Sequence, residues 1–241
     1  VRGLDLALTA PVVSRPYITM TAALLGLHGV AVHEDRGRHF RVTAGARVRS
    51  GKWAVEGDAS AASYPLEAAA LLGNALRVEG VGSASLQGDV AFVEVLRSMG
   101  CAVEAGADFI QLHGGASLRG AMMDFSDIPD TAMTAAVLAC FATGPSELTG
   151  LSTLRGKETD RLAAMAAECA RAGANVLVEG DTLHVTPGAA PPSNVVFETY
   201  KDHRMAMAFA LCALRLPGSA VRDPACVSKS WPDYFTCMGM T

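Results

Sequence analysis

Apolar and polar positions along the chain fall into two rhythms. Residues 64–76, 131–142 and 204–214 are apolar nearly all round, and a helix without a polar face is buried on every side. The pattern therefore predicts three central helices packed together, with sheets outside them. Residues 158–172 differ, because Leu162, Met165, Ala166 and Cys169 make one apolar stripe opposite a charged face. That helix should lie at the surface. Another helix is expected over residues 16–28.

A repeat emerges when helix ends are aligned on glycine. Leu25-Gly-Leu-His-Gly29-Val-Ala-Val, Leu96-Arg-Ser-Met-Gly100-Cys-Ala-Val and Cys169-Ala-Arg-Ala-Gly173-Ala-Asn-Val place their glycines 71 and 73 residues apart. Each is followed by a short strand, a turn and a second strand (Phe40-Arg-Val-Thr, Phe109-Ile-Gln-Leu, Leu183-His-Val-Thr). Glycine after a last helical turn takes the left-handed conformation freely, so each unit reads as helix, stop and β-hairpin. The period exceeds the roughly 20 to 50 residues of common solenoids, and repeated α/β modules fit it. One incomplete unit precedes residue 55 and three follow, so the series is expected to start partway through.

Composition narrows the class. Half of the 241 residues are apolar and 18% are charged, as in a packed protein of one or two domains. Apolar runs reach about a dozen residues, below the ~20 of a spanning helix, so no membrane partner is expected. A net charge of −4 offers no global field for nucleic acid, and any anion must be held locally. The six cysteines form no C-x-x-C pair and read as reduced core residues, with no metal site and a cytoplasmic setting. The opening Val-Arg-Gly-Leu-Asp-Leu resembles no signal or transit segment and is not expected to be a natural start.

Polar clusters stand at the heads of the predicted helices. In Leu154-Arg155-Gly-Lys157-Glu158-Thr-Asp160-Arg161, helical spacing would gather Lys157, Glu158 and Arg161 on one small area, beside N–H groups that suit a phosphate or carboxylate. A solvated helix start with ordinary ion pairs explains it too. Tyr200-Lys201-Asp202-His203-Arg204 precedes the last apolar helix, and Ser228-Lys229-Ser-Trp231-Pro-Asp233-Tyr234-Phe235 reads equally as chain-end packing. Asp130, in Ile128-Pro129-Asp130-Thr-Ala-Met, has a complete explanation as a helix cap. Gly73-Asn-Ala75 is expected inside a helix. Gly82 to Gly88 lacks the ending of a P-loop.

Taken together, Val55-Glu-Gly-Asp-Ala-Ser-Ala-Ala-Ser-Tyr64, Ser85-Leu-Gln-Gly-Asp89, Ile128-Pro-Asp-Thr-Ala-Met-Thr134, Arg155-Gly-Lys-Glu-Thr-Asp-Arg161, Asp202-His-Arg-Met-Ala-Met207, Lys229-Ser-Trp-Pro-Asp-Tyr-Phe235 and Val13-Ser-Arg-Pro-Tyr17 closely resemble the 5-enolpyruvylshikimate-3-phosphate synthases. The resemblance implies an α/β fold of βαβαββ units with buried parallel helices and outer sheets, about four of six units being present. It places residues 1–55 in the last unit of an upper domain and 56–241 in a lower domain of three units. It implies transfer of the enolpyruvyl group of phosphoenolpyruvate to the 5-hydroxyl of shikimate 3-phosphate, without a cofactor. Matching positions in the family bind shikimate 3-phosphate through Ser14, Tyr17, Asp130 and Lys157, with Thr153 near the ring, and phosphoenolpyruvate through Arg161, Arg204 and Lys229. Asp130 would act as base and Glu158 would exchange a proton with the methylene carbon, assisted by His203 and Lys229.

Gly156 stands where relatives often carry valine. The family's N-terminal Lys-Ser-x-x-x-Arg segment, its Asn-Ala-Gly-Thr loop, its upper-domain arginine, its Ser-Ser-Gln motif and the loop governing glyphosate access have no counterpart here. A complementary N-terminal half, or self-association, is thus an expected partner, and a plastid setting stays open. Two other readings also remain: an enolpyruvyl transferase acting on UDP-N-acetylglucosamine, and a noncatalytic module that binds anions or a partner.

Overall fold

The computed structural model describes residues 2–10, 12–115 and 117–240. The first unit is β1 (Leu4–Ala7), α1 (Arg15–Leu27), β2 (Val32–Asp35) and β3 (His39–Val42). Next come α2 (Ala59–Leu72), β4 (Leu76–Glu79), α3 (Phe92–Ser98), β5 (Ala102–Ala105) and β6 (Phe109–His113). A third stretch holds β7 (Met122–Asp124), α4 (Ala132–Cys140), β8 (Ser146–Thr149), α5 (Arg161–Arg171), β9 (Asn175–Glu179) and β10 (Thr182–Thr186). The chain continues through β11 (Val196–Phe197), α6 (His203–Ala210), β12 (Ala220–Val221) and α7 (Tyr234–Cys237).

The predicted repeat is present in the topology. Strand, helix and hairpin recur as β1-α1-β2-β3, β4-α3-β5-β6 and β8-α5-β9-β10, and each time the last strand lies between the other two, giving β1-β3-β2, β4-β6-β5 and β8-β10-β9. The second stretch adds the preceding helix α2, and the third adds both strand and helix, with β7 parallel to β8, to complete a βαβαββ order. The glycine stop has one geometry in all three. Gly29, Gly100 and Gly173 have φ of +83°, +94° and +93°. Val30, Cys101 and Ala174 each donate to the carbonyl five residues back, while the glycines donate three residues back. This double bond pattern satisfies the last carbonyls of a helix and needs the left-handed residue.

Helix α4 is the centre of the molecule. Residues 132–139 are wholly buried, and α4 packs on α2, α5 and α6. The sheets lie outside, as the apolar patterns required. Helix α5 presents Leu162, Met165 and Cys169 to the core. Its Glu168 is also wholly buried, accepting from the Tyr200 hydroxyl at 2.7 Å and the Glu198 amide at 3.0 Å. The first unit is different. No residue of α1 is buried, and an apolar cavity of 330 Å³ opens between Ile18, Leu25, Phe40 and Val42.

Several helix bounds differ from the sequence expectation. Helix α2 starts early because Asp58 caps it, accepting from the Ala61 amide at 2.9 Å. It stops at Gly73, φ +65°, so the Gly73-Asn-Ala75 segment ends a helix and leads into β4. Helix α5 begins only at Arg161, where Asp160 accepts from the Ala163 amide at 3.0 Å. Helix α6 tightens into a 3-10 turn over Leu211–Leu214. No described helix is long and apolar enough to cross a membrane.

Candidate active site

The chemistry gathers where α4, α5 and α6 begin. Asp202 caps α6, accepting from the Arg204 amide at 2.9 Å and the Met205 amide at 3.4 Å. The same carboxylate accepts from Arg161, Nε to Oδ2 at 2.8 Å and Nη2 to Oδ1 at 3.3 Å. Arg161, 1% exposed, then turns its other nitrogens outward, Nη1 to Asp130 at 3.1 Å and Nη2 to Glu158 at 2.8 Å. One guanidinium thus touches three carboxylates. Asp130 also takes Arg204 Nη2 at 3.0 Å and Lys157 Nζ at 3.5 Å, and Glu158 takes Lys229 Nζ.

Asp130 is therefore not the helix cap that its position suggested. It lies in a 3-10 turn, Pro129–Thr131, and the residue that opens α4 has no side-chain cap bond. Its carboxylate is turned to cations instead. The helical spacing expected for Lys157, Glu158 and Arg161 is also replaced, because Lys157 is extended (φ −90°, ψ −154°) and the segment is a loop. The loop still delivers both residues to one place, whereas Arg155 leaves it for the Gly180 carbonyl at 2.5 Å and Asp181.

Chain-end packing explains how Lys229 arrives. It ends a 3-10 turn, Pro224–Lys229, anchored by Tyr234, which is wholly buried and donates to the Met207 carbonyl at 2.7 Å. The Tyr234 ring stacks edgewise on Tyr64 and Trp231. The packing and the cation placement are one arrangement.

The electrostatics follow from four cations against three carboxylates. Burial alone would raise the Asp130 pKa, but Arg204, Lys157 and Arg161 hold it below the usual carboxylate range. The Lys229 hydrogen bond draws Glu158 down to about 2. Burial opposes charge on Arg204, yet the Tyr64 hydroxyl and Asp130 push its pKa up. Burial, then Arg204, lower His203, so at neutral pH its ring is uncharged. A net positive spot on an acidic chain is the local condition that holding an anion requires.

The remaining predicted residues stand around this cluster. His203 is the first residue of α6, and its Nδ1 meets no hydrogen-bond partner among the described residues. Thr153 lies in the 3-10 turn Ser152–Gly156 that leads to Lys157, and its enclosed hydroxyl also lacks a partner. Tyr17 points its hydroxyl at Asp89, 3.3 Å away, and Asp89 and Asp130 both act on its pKa, which is raised first by burial. Ser14 precedes α1 in a left-handed conformation, φ +52°, without a side-chain cap bond, and no described hydrogen bond ties it to the cluster.

Asp202 and Asp89 were visible as parts of motifs but had no assigned role. Asp202 could have been found as an acid directly before an apolar helix, the place of a cap. Asp89 follows a glycine turn with no comparable signal. Gly156 has open space around it, so the loop ahead of Lys157 is uncrowded.

Comparison with known proteins bears on this geometry. A family model described as EPSP synthase (3-phosphoshikimate 1-carboxyvinyltransferase) matches residues 2–238. The 3-phosphoshikimate 1-carboxyvinyltransferases of Burkholderia multivorans and Burkholderia cenocepacia are each 50% identical over 228 residues, covering 92% of this chain and 52% of the relative. An EPSP synthase structure from Acinetobacter baumannii superposes with a TM-score of 0.78 at 23% identity, over 98% of this chain and 56% of that one. The enolpyruvyl transferase NikO from Streptomyces tendae gives 0.69 at 20% identity, over 96% and 53%. The chain spans about half the length of the curated relatives it matches. Across that half, sequence and fold agree from end to end, and the chain belongs to the EPSP synthase (3-phosphoshikimate 1-carboxyvinyltransferase) family.

Proposed function

We propose that this chain supplies the lower half of a site that transfers the enolpyruvyl group of phosphoenolpyruvate to the 5-hydroxyl of shikimate 3-phosphate. The observation that carries the reading is the single buried guanidinium of Arg161 gathering Asp130, Glu158 and Asp202, with Lys157, Arg204 and Lys229 closing the ring. Two polyanionic substrates need several fixed cations, and the reaction needs two separate carboxylates among them.

In this reading Asp130 takes the proton of the 5-hydroxyl as its oxygen bonds to C2 of phosphoenolpyruvate. A proton passes from Glu158 to C3 and turns the methylene into a methyl. Glu158 is ionised in the ligand-free molecule, so it takes up a proton from solvent before giving one, and Lys229, which donates a hydrogen bond to it, would relay that proton. As C3 returns its proton to Glu158 the C2–O bond to phosphate breaks, and the proton held by Asp130 leaves on the inorganic phosphate, giving the enol ether. Substrate anions draw Lys157 and Arg204 from Asp130, which raises its basicity as the hydroxyl arrives. Ser14, Tyr17, Thr153 and Lys157 would hold shikimate 3-phosphate; Arg161, Arg204 and Lys229 would hold phosphoenolpyruvate. His203, uncharged in the ligand-free molecule, would assist by accepting and returning a proton.

We assign residues 1–55 to the last unit of an upper domain and 56–241 to the lower domain. The shallow first unit and its open apolar cavity support a need for a complementary N-terminal portion, or failing that a second copy. Bacterial relatives and six free cysteines support the cytoplasm as its setting. The test is phosphate release from shikimate 3-phosphate plus phosphoenolpyruvate, with the chain alone and mixed with an N-terminal half from a Burkholderia relative. Release on mixing is the expected result. Binding without release in the mixture favours a noncatalytic module, and release only with UDP-N-acetylglucosamine reassigns the acceptor.

A further inference from the structure

Asp89 lies in the 3-10 turn Gly88–Ala91 ahead of α3, 3% exposed, and belongs to none of the ion pairs of the cluster. Its two oxygens face opposite parts of the molecule. One accepts from the Ser60 hydroxyl in the first turn of α2, the other from the Tyr17 hydroxyl at 3.3 Å on α1. Among the described residues, the Tyr17 bond is the only hydrogen bond between a side chain of the first unit and a side chain of residues 56–240.

A second contact stands beside it. A Cβ on Gly88 would fall 2.4 Å from Pro16 Cβ, so the turn and the start of α1 approach as closely as a glycine permits. Immediately before that contact, Ser14 holds a left-handed backbone (φ +52°, ψ +46°), a conformation that persists only where surroundings over-determine it. With no residue of α1 buried, this end of the helix is where the unit is held.

We propose that Asp89 is a positioning residue that seats Tyr17, and through it the start of α1, against the rim of the anion site. It acts on shikimate 3-phosphate through Tyr17 and does not touch the reacting atoms; this functional part rests on the reading of the site given above. A carboxyl can accept from both hydroxyls at once, whereas an amide could accept from one and donate to the other, so only an apolar side chain of similar size removes both contacts.

Amide exchange tests the placement without any ligand. In Asp89→Leu, exchange over residues 15–27 is expected to rise roughly 5- to 10-fold, the loss of one hydrogen bond to α1, while α4 stays unchanged. Tyr17→Phe should give the same rise, and the double variant no more than either. Gly88→Ala, which pushes on Pro16 and removes no polar group, should loosen the same residues, and it keeps the test open if Asp89→Leu fails to fold. Unchanged exchange in α1, or effects that simply add, overturns the proposal. Calorimetry tests the consequence: Asp89→Leu should weaken shikimate 3-phosphate, Tyr17→Phe, which removes the hydroxyl itself, should weaken it at least as much, and both should leave phosphoenolpyruvate affinity alone. Equal loss for both ligands marks a merely structural role and also overturns it. If the unaltered chain binds no shikimate 3-phosphate, the functional reading fails, and the exchange measurement still decides the placement.

Discussion

Arg161 and Asp202, 41 positions apart, meet in the interior through two hydrogen bonds with side chains 1% and 0% exposed. Taking either charge out of water alone is prohibitive, so each makes the other admissible. The pair also locks the start of α5 to the start of α6. Everything else in the cluster is reached from that joint.

Removing one partner should therefore be severe. Asp202→Ala leaves a buried guanidinium with one wall gone and strips α6 of its cap. The expected loss is about 3–5 kcal/mol of unfolding free energy, read as a fall in the urea midpoint. A loss below about 1 kcal/mol would mean that water reaches Arg161.

Asp130→Asn separates binding from chemistry. It deletes a negative charge beside Lys157, Arg161 and Arg204, so shikimate 3-phosphate should bind as tightly or more tightly. Turnover in the reconstituted enzyme should drop at least 100-fold, the lower end of the roughly 100- to 10,000-fold range for a positioned base. Weaker binding with turnover preserved contradicts the assignment.

Glu67 on α2 is wholly buried with both carboxyl oxygens unpartnered among the described residues. Burial, then Cys140, push its pKa well above 4.5. The native state thus holds this proton more tightly than the unfolded chain. Full stability is present below pH 4.5 and is lost as pH rises toward the folded-state pKa. Glu67→Leu should gain about 1–3 kcal/mol at pH 7, and the gain should shrink as pH falls to 4.5. Denaturant melts at both pH values check the sign.

Lys229 is 60% exposed, so Lys229→Met should change stability by less than about 1 kcal/mol. Its effect on Glu158 is larger, because its hydrogen bond leads the causes that hold that carboxyl near 2. Carboxyl NMR titration should show Glu158 moving up toward 4.5 in the variant. No movement would place Lys229 away from Glu158 in solution.

The parts of the fold that were legible in the sequence are those with local causes. Gly29, Gly100 and Gly173 announce helix stops because only a left-handed residue closes that bond pattern, and the same signal recurs with its hairpin. Helix α4 could be read as central because it has no polar face. Asp130 was harder: an acid before an apolar run looks like a cap, and only the arrival of residues 157–161 and 204 shows why it is not one. Asp89 was invisible as a buried acid, since its burial depends on what packs above it, whereas Glu67 stood in a helix expected to be buried on every side and only its lack of partners was unreadable. The motif resemblance singled out Lys157, Arg161, Arg204 and Lys229, which the structure brings together, while their pairing through Arg161 is a property of three dimensions.

The central claim is that cations brought from three separate segments form one anion site, and the most direct measurement is calorimetric binding of shikimate 3-phosphate to the chain and to two variants. Lys157→Met removes a charged contact and should weaken binding roughly 10- to 100-fold, whereas Arg222→Met, an exposed arginine paired with Glu198, should leave it unchanged. Equal affinity in both variants would contradict the account.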